Sequence, residues 1–208
     1  MIVPQIVIVA LLLAGPDDAP ASETVPAAEA VETPANHYPL HAGATWHYRV
    51  DADGRVVEVT SRVAKIERID DLELSRIEVA VPGAPAPATT EHLRATPEGI
   101  FRQRFNGLEV EPPLRLLKYP VKEGETWKAD FKAGGDAATG VCRALPAEEV
   151  AVPAGTFQTV VVLIEVDDGR TTVKTTYWFA ENVGVVKQVL NIGGKMVTLE
   201  LEKYESGK

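Results

Sequence analysis

From Tyr38 onward, apolar and polar residues alternate with a period of two rather than 3.6, the pattern of strands with one dry and one wet face. Trp46, Tyr48 and Val50 alternate with His47 and Arg49, and Trp127, Ala129 and Phe131 alternate with Lys128 and Asp130. Val173, Thr175, Tyr177 and Phe179 fall on one face, and Val197, Leu199 and Leu201 alternate with Thr198, Glu200 and Glu202. Such strands suit an antiparallel sheet packed on a core from one side. Residues 160–164 (VVVLI) are apolar at every position, which predicts a strand covered on both faces. Asp53-Gly54, Asp168-Gly169 and Gly193-Gly194 supply hairpin turns. No segment carries three turns of amphipathic helix, and residues 113–118 are expected to form one short helical turn.

A nine-residue box is written twice. Tyr38-Pro39-Leu40-His41-Ala42-Gly43-Ala44-Thr45-Trp46 returns as Tyr119-Pro120-Val121-Lys122-Glu123-Gly124-Glu125-Thr126-Trp127, an offset of 81. A weaker echo follows: Thr89-Thr90 leads to Gly99-Ile100-Phe101-Arg102-Gln103, and Thr175-Thr176 to Gly184-Val185-Val186-Lys187-Gln188. These patterns predict an all-β fold, a strongly curved antiparallel sheet (half-barrel or barrel-like) built from two similar halves, residues 38–118 and 119–206. Within each box, proline keeps the entry extended and glycine permits a tight bend. Threonine then opens a strand whose first inward residue is a tryptophan, large enough to plug one end of a barrel. The alternative is an aromatic ligand platform formed by Trp46 and Trp127.

The N-terminus changes the picture of where the chain goes. Residues 2–14 (IVPQIVIVALLLA) are too few to span a bilayer but match the apolar core of a secretory signal, although no basic residue precedes them. Ala19-Pro20-Ala21 offers a cleavage site after Ala21. The expected organisation is a signal peptide over 1–21, a disordered Pro/Ala/Glu-rich spacer over 22–37 and one β-domain over 38–206. Export to the periplasm or beyond is the expected address, with N-terminal membrane anchoring the alternative. No cysteine follows the apolar run, so lipidation there is not expected.

Composition then removes several classes. Fifteen prolines, sixteen glycines and one cysteine argue against a helix bundle, a disulfide scaffold and a cysteine-ligated zinc site. The formal charge of −9 argues against nucleic acid as a partner. Five of the acids lie before residue 38 with no basic residue, leaving 21 basic against 25 acidic residues on a nearly balanced domain.

Three boxes in order carry a resemblance: Tyr38-Pro39-Leu40 through Gly43 to Trp46, then Val152-Pro153-Ala154-Gly155-Thr156-Phe157, then residues 177–187 (YWFAENVGVVK). Together they resemble a group of uncharacterised bacterial exported proteins and lipoproteins of all-β build, with PLxxGxxW, VPAGTF and YWxAxxVGxVK boxes. The resemblance covers residues 38–204 and implies an envelope protein with no established activity. By analogy alone, such domains are likened to the half-barrels of lipoprotein carriers, which enclose an acyl chain. Locally, the second box bends the chain into an apolar strand beginning at Phe157. Residues 181–184 of the third read as a loop in which Gly184 takes an unusual backbone angle.

Candidate chemistry is sparse. His37, His41 and His47 with Asp51 and Asp53 are the one combination of metal-ligating type, and their spacing suits surface histidines better. Asp51-Ala52-Asp53-Gly54 lacks the remaining ligands of a calcium loop. Cys142 alternates with Val141 and reads as a small core residue, and His92 stands apart from the other histidines. Neither a nucleophile elbow nor a phosphate loop is present. Glu148-Glu149 and Asp70-Asp71 are adjacent and so point to opposite faces of a strand. Arg102 and Arg104 are expected to share a face, against solvent, a cross-strand acid or an anionic headgroup. The expected function is a non-catalytic, cofactor-free binding or carrier-like module for a lipid or other apolar small molecule. Its test residues are Trp46, Trp127, Phe157, Tyr177 and Trp178. A structural domain that docks another envelope protein is the alternative.

Overall fold

The computed structural model describes residues 36–207. The expected signal peptide and nearly all of the spacer lie outside the described residues. Among the described residues there are thirteen strands and no helix: β1 (Thr45–Ala52), β2 (Arg55–Ile69), β3 (Leu72–Ala80), β4 (Thr89–Thr96), β5 (Gly99–Phe105), β6 (Leu108–Lys118), β7 (Thr126–Lys128), β8 (Phe131–Ala133), β9 (Asp136–Val152), β10 (Gly155–Asp167), β11 (Thr172–Ala180), β12 (Gly184–Ile192) and β13 (Lys195–Glu205).

Consecutive strands from β1 to β6 and from β9 to β13 pair antiparallel. β13 returns to β1, and β8 bridges β6 to β9. The result is a closed antiparallel barrel of twelve strands, with the short β7 as an extra strand on β9. Closure removes the long open edge that a sheet of this size would otherwise expose. Hairpin turns need positive φ, and Asp53-Gly54 (53° and 81°) and Asn106-Gly107 (48° and 80°) adopt it.

Inward positions follow the period-two pattern. Val50, Val63, Ile77, Leu93 and Leu117 are fully or almost fully buried and belong to one continuous core. Each contributes roughly 1.5–3 kcal/mol of burial. Val161 and Val162, on opposite faces of β10, are 2 % and 0 % exposed, so this strand is covered on both sides.

The two boxes make the same corner. Gly43 N–H donates to Val63 O (2.8 Å) and Val63 N–H returns to Ala44 O (2.9 Å). Eighty-one residues on, Gly124 N–H donates to Ala144 O (2.9 Å) and Ala144 N–H returns to Glu125 O (2.9 Å). Thr45 then pairs with Arg62, and Thr126 with Arg143. In the first copy the tryptophan seals one barrel end. Trp46 is 0 % exposed, stacks on Tyr204 (5.5 Å), meets Tyr38 edge-on (5.3 Å) and donates Nε1–H to Val183 O (2.6 Å). Gly184 sits beneath it at φ +106°, where a Cβ would come within 3.0 Å of Tyr38 and 3.1 Å of the Trp46 indole nitrogen. The first and third boxes therefore interlock.

Two expectations are corrected. Residues 113–118 form part of β6 rather than a helical turn, because residues 114–118 ladder with β5. Pro112 and Pro113 sit in the stretch that pairs with neither β5 nor β8, where a missing N–H costs no ladder bond. Arg102 and Arg104 do not share a face, because Gln103 is an extra residue in β5. The register shifts there against both β4 and β6, and a bulge reverses the side on which the next residue emerges.

Candidate functional site

The bulge in β5 is what turns Arg102 inward. Arg102 pairs with Leu93 and Arg104 with His92, so the first arginine faces the barrel interior and the second faces out. Inside, Arg102 Nε donates to Glu91 Oε2 at 2.7 Å, and each side chain is 15 % exposed. The guanidinium lies 5.3 Å from the Phe105 ring, and the Tyr177 hydroxyl interacts with the same group.

This ion pair borders a cavity of about 140 Å³. Apolar wall comes from Val59, Leu114, Leu116, Ile164, Leu190 and Leu199. Polar wall comes from Ser61, Thr89, Thr175, Tyr177 and Gln188 with Glu91 and Arg102. Tyr38, Tyr48 and Phe179 close the cavity toward the Trp46 end. Burial disfavours the charged guanidinium, but Glu91 and the Tyr177 hydroxyl outweigh it and raise the Arg102 pKa. Burial raises the pKa of Tyr48 and Tyr177, so both are neutral hydroxyls near neutral pH. The site is thus an apolar chamber with one electrically balanced polar corner.

Of the five residues expected to bind a ligand, the structure puts one in the chamber wall. Tyr177 lies there, stacked on Phe179 (5.6 Å). Trp46 is the end plug and is not part of the wall. Trp127 is half-buried 81 residues away in sequence, with Nε1–H donated to Arg115 O (2.9 Å), and the two indoles do not form one platform. Phe157 pairs with Val150 near the start of β10 and packs on the core margin. Trp178 faces outward, donates Nε1–H to the Glu148 carboxylate and carries the Lys187 ammonium 5.9 Å from its ring. Glu91, Phe105 and Gln188 were not singled out by sequence. The available signal was Glu91 itself, a charged residue at an inward period-two position of β4.

The remaining candidates resolve into local contacts. His37 N–H donates to Tyr119 Oη (3.2 Å), His41 Nε2 meets Ser206 O, and His47 faces outward near Thr60 and Glu205. Asp51 accepts from Gly54 N–H (2.9 Å), as a hairpin turn requires. Among the described residues, no group of three or more His, Cys, Asp or Glu is placed to hold a metal ion. Cys142 is fully buried beside the exposed Val141, its thiol donates to Arg115 O (3.6 Å), and burial pushes its pKa up to about 12. His92 lies on the outer face, with Nε2 donating to Glu67 Oε2 (2.7 Å).

A second concavity, of about 580 Å³, lies on the seam between β6 and the β7–β9 layer. Phe101, Pro112, Pro113, Trp127, Ala129 and Lys132 line it. It exists because β8 pairs with β6 at two positions only and β7 pairs only with β9.

No family model matches the chain, and no curated protein matches it. Solved structures do. A candidate lipoprotein of Parabacteroides distasonis superposes with a TM-score of 0.55 at 12 % identity, covering 84 % of this chain and 100 % of that one. A candidate exported protein of Bacteroides fragilis with a YmcC-like fold gives 0.49 at 15 % identity, over 82 % of this chain and 99 % of that one. The hypothetical lipoprotein YmcC of Escherichia coli gives 0.40 at 17 % identity, over 77 % and 84 %. At such identity the Parabacteroides likeness is one of fold: the barrel described above is an architecture shared with that protein along its whole length.

Proposed function

We propose that this chain is a non-catalytic binding module of the bacterial cell envelope, with its ligand inside the barrel. The carrying observation is the chamber of about 140 Å³, whose mostly apolar wall carries a few uncharged polar side chains and one ion pair, Glu91–Arg102. A few convergent polar groups in an apolar concavity are the usual make-up of a small-molecule site. The size sets the scale of the ligand. A cavity of about 150 Å³ holds benzene, whereas drug-sized ligands take about 300 Å³ or more. The occupant is therefore a compact molecule, or one short apolar group of a larger one, and not a fully enclosed acyl chain. The high pKa of Cys142, and its carbonyl partner, argue against a thiolate nucleophile. Export is supported by the apolar leader at residues 2–14 and by the name of the Parabacteroides protein with the same fold.

Native mass spectrometry of protein released from its own envelope tests the reading. The expected result is a small co-purifying molecule, lost when Val59→Phe fills the chamber. Uniformly ligand-free protein, in the wild type and under gentle release, overturns it. A docking domain is the second reading, favoured by the seam groove and the unpaired edge of β7. Crosslinking in the intact envelope that returns one reproducible protein at the groove, with an empty chamber, selects it.

A further inference from the structure

The polar corner of the chamber also says which head group the ligand carries; this inference rests on the interior-ligand reading above. Arg102 is already neutralised, since its Nε donates to Glu91 at 2.7 Å with both side chains largely withdrawn from water. The other polar groups on the wall are uncharged: the hydroxyls of Ser61, Thr89, Thr175 and Tyr177 and the amide of Gln188. Tyr177 remains protonated because burial raises its pKa. The chamber therefore presents donors and acceptors together with no net charge.

We propose that the chamber selects a small neutral amphiphile, an apolar body of about benzene size with a hydroxyl or amide head, and rejects the carboxylate carrying the same body. A neutral head can accept from the Tyr177 hydroxyl while donating to Glu91. Each of those bonds is charge-assisted or made in a dry site, where it discriminates most strongly. A carboxylate has to share Arg102 with Glu91, leaving one uncompensated negative charge away from water, and that is far more costly than burying an uncharged polar head. The source of the selection is Glu91: it occupies the cation that an anionic ligand would need. Its conversion to glutamine leaves Arg102 as the unbalanced charge, so the preference inverts.

Benzyl alcohol, benzamide, benzoate and benzene, titrated into the folded domain at neutral pH and followed by NMR and thermal shift, decide the matter. The expected order in the wild type is benzyl alcohol and benzamide at least tenfold tighter than benzoate. In Glu91→Gln, benzoate is expected to bind at least tenfold tighter than it does to the wild type and to overtake the alcohol. Should E91Q fold poorly, the double variant E91Q/R102Q removes both charges; it is expected to keep binding the alcohol and to keep rejecting benzoate. Wild-type binding of benzoate equal to or tighter than the alcohol overturns the head-group assignment while leaving the interior-ligand reading intact. Failure of all four probes, benzene included, overturns both.

Discussion

At the first box, β1 leaves the corner and pairs with β13 at eight positions, and Trp46 is sealed at 0 % exposure. At the second box, the same corner leads to β7, three residues long, and closure falls to β8, which meets β6 at two positions while Trp127 stays half-buried beside a groove. The backbone hydrogen bonds of the two bends match one for one, so the difference is not in how the bend is tied to its neighbouring strand. It lies in the partner strand across the seam. β13 reads as an unbroken alternation through Leu199 and Leu201, whereas β6 carries Pro112 and Pro113. Proline lacks the N–H a ladder needs and fixes φ. A box thus encodes a turn and an anchor; whether the barrel is sewn tight there depends on a strand written elsewhere in the chain.

The strongest way to break this comparison is to truncate both anchors. Trp46→Ala removes a fully buried indole, its stacking on Tyr204 and its bond to Val183 O. It is expected to cost about 3–5 kcal/mol, as large-to-small changes of buried aromatics do. Trp127→Ala empties a site already open to the groove and is expected to cost about 1–2 kcal/mol, the ordinary range for a partly buried side chain. Urea unfolding of both variants reads the difference. Equal costs, or a larger cost at Trp127, would show that both seams bear the barrel equally.

Gly184 sharpens the same contrast at lower amplitude. Gly184→Ala places a methyl against Tyr38 and the Trp46 indole at a φ of +106°. Strain and overpacking together are expected to cost about 2–3 kcal/mol. Gly54→Ala, also at positive φ but with open space around it, is expected to cost about 1 kcal/mol from the backbone alone. If the two substitutions cost the same, contact with the plug adds nothing.

How far the sequence can be read differs between wall and interior. Strands, several turns and the inward tryptophan of the first box follow from a period of two, because alternation is a local consequence of the pleat. The chamber does not. Its position depends on the extra residue at Gln103, which reverses Arg102, and no local pattern marks where a bulge falls. Arg102 and Arg104 look equivalent when strict alternation is assumed, and the register shift separates them. Trp178 stands outside the chamber for the complementary reason. Adjacent aromatics on a strand occupy opposite faces, so with Tyr177 inside, Trp178 has to be outside. The ring closure through β8 was equally invisible, since it rests on two residue pairs.

The seams should also differ in local opening, at a scale well below global unfolding. Backbone amides of β7 and of the β6 segment after Pro113 have few ladder partners on the groove side, whereas those of β1 are paired on both edges. Hydrogen exchange is expected to be at least tenfold faster at residues 126–128 than at residues 46–50, because unladdered edges open without breaking the core. Comparable protection would mean that Trp127 and its bond to Arg115 O hold the second seam as firmly as eight strand pairs hold the first.

The smallest effect contrasts the outer faces of the two halves. At the box offset of 81, Glu67 of β2 corresponds to Glu148 of β9, and each carboxylate accepts from a ring N–H on the strand two places along: His92 in one half, Trp178 in the other. Glu67 also accepts from Lys65 Nζ at 2.6 Å. The bonds from Lys65 and then His92 hold its pKa at about 2, below its ordinary value of 4.5. A depressed carboxylate pKa stabilises the fold above the unfolded value and loses that contribution as pH falls through the folded one. The stability advantage of the wild type over Glu67→Gln is therefore present at pH 5 to 6 and decays between pH 4.5 and 2. Because the group is partly solvated, the advantage is expected to stay under about 1 kcal/mol. Urea midpoints of both proteins across that window measure it; an advantage that persists unchanged at pH 2 would mean that Glu67 acts through packing and not through its charge.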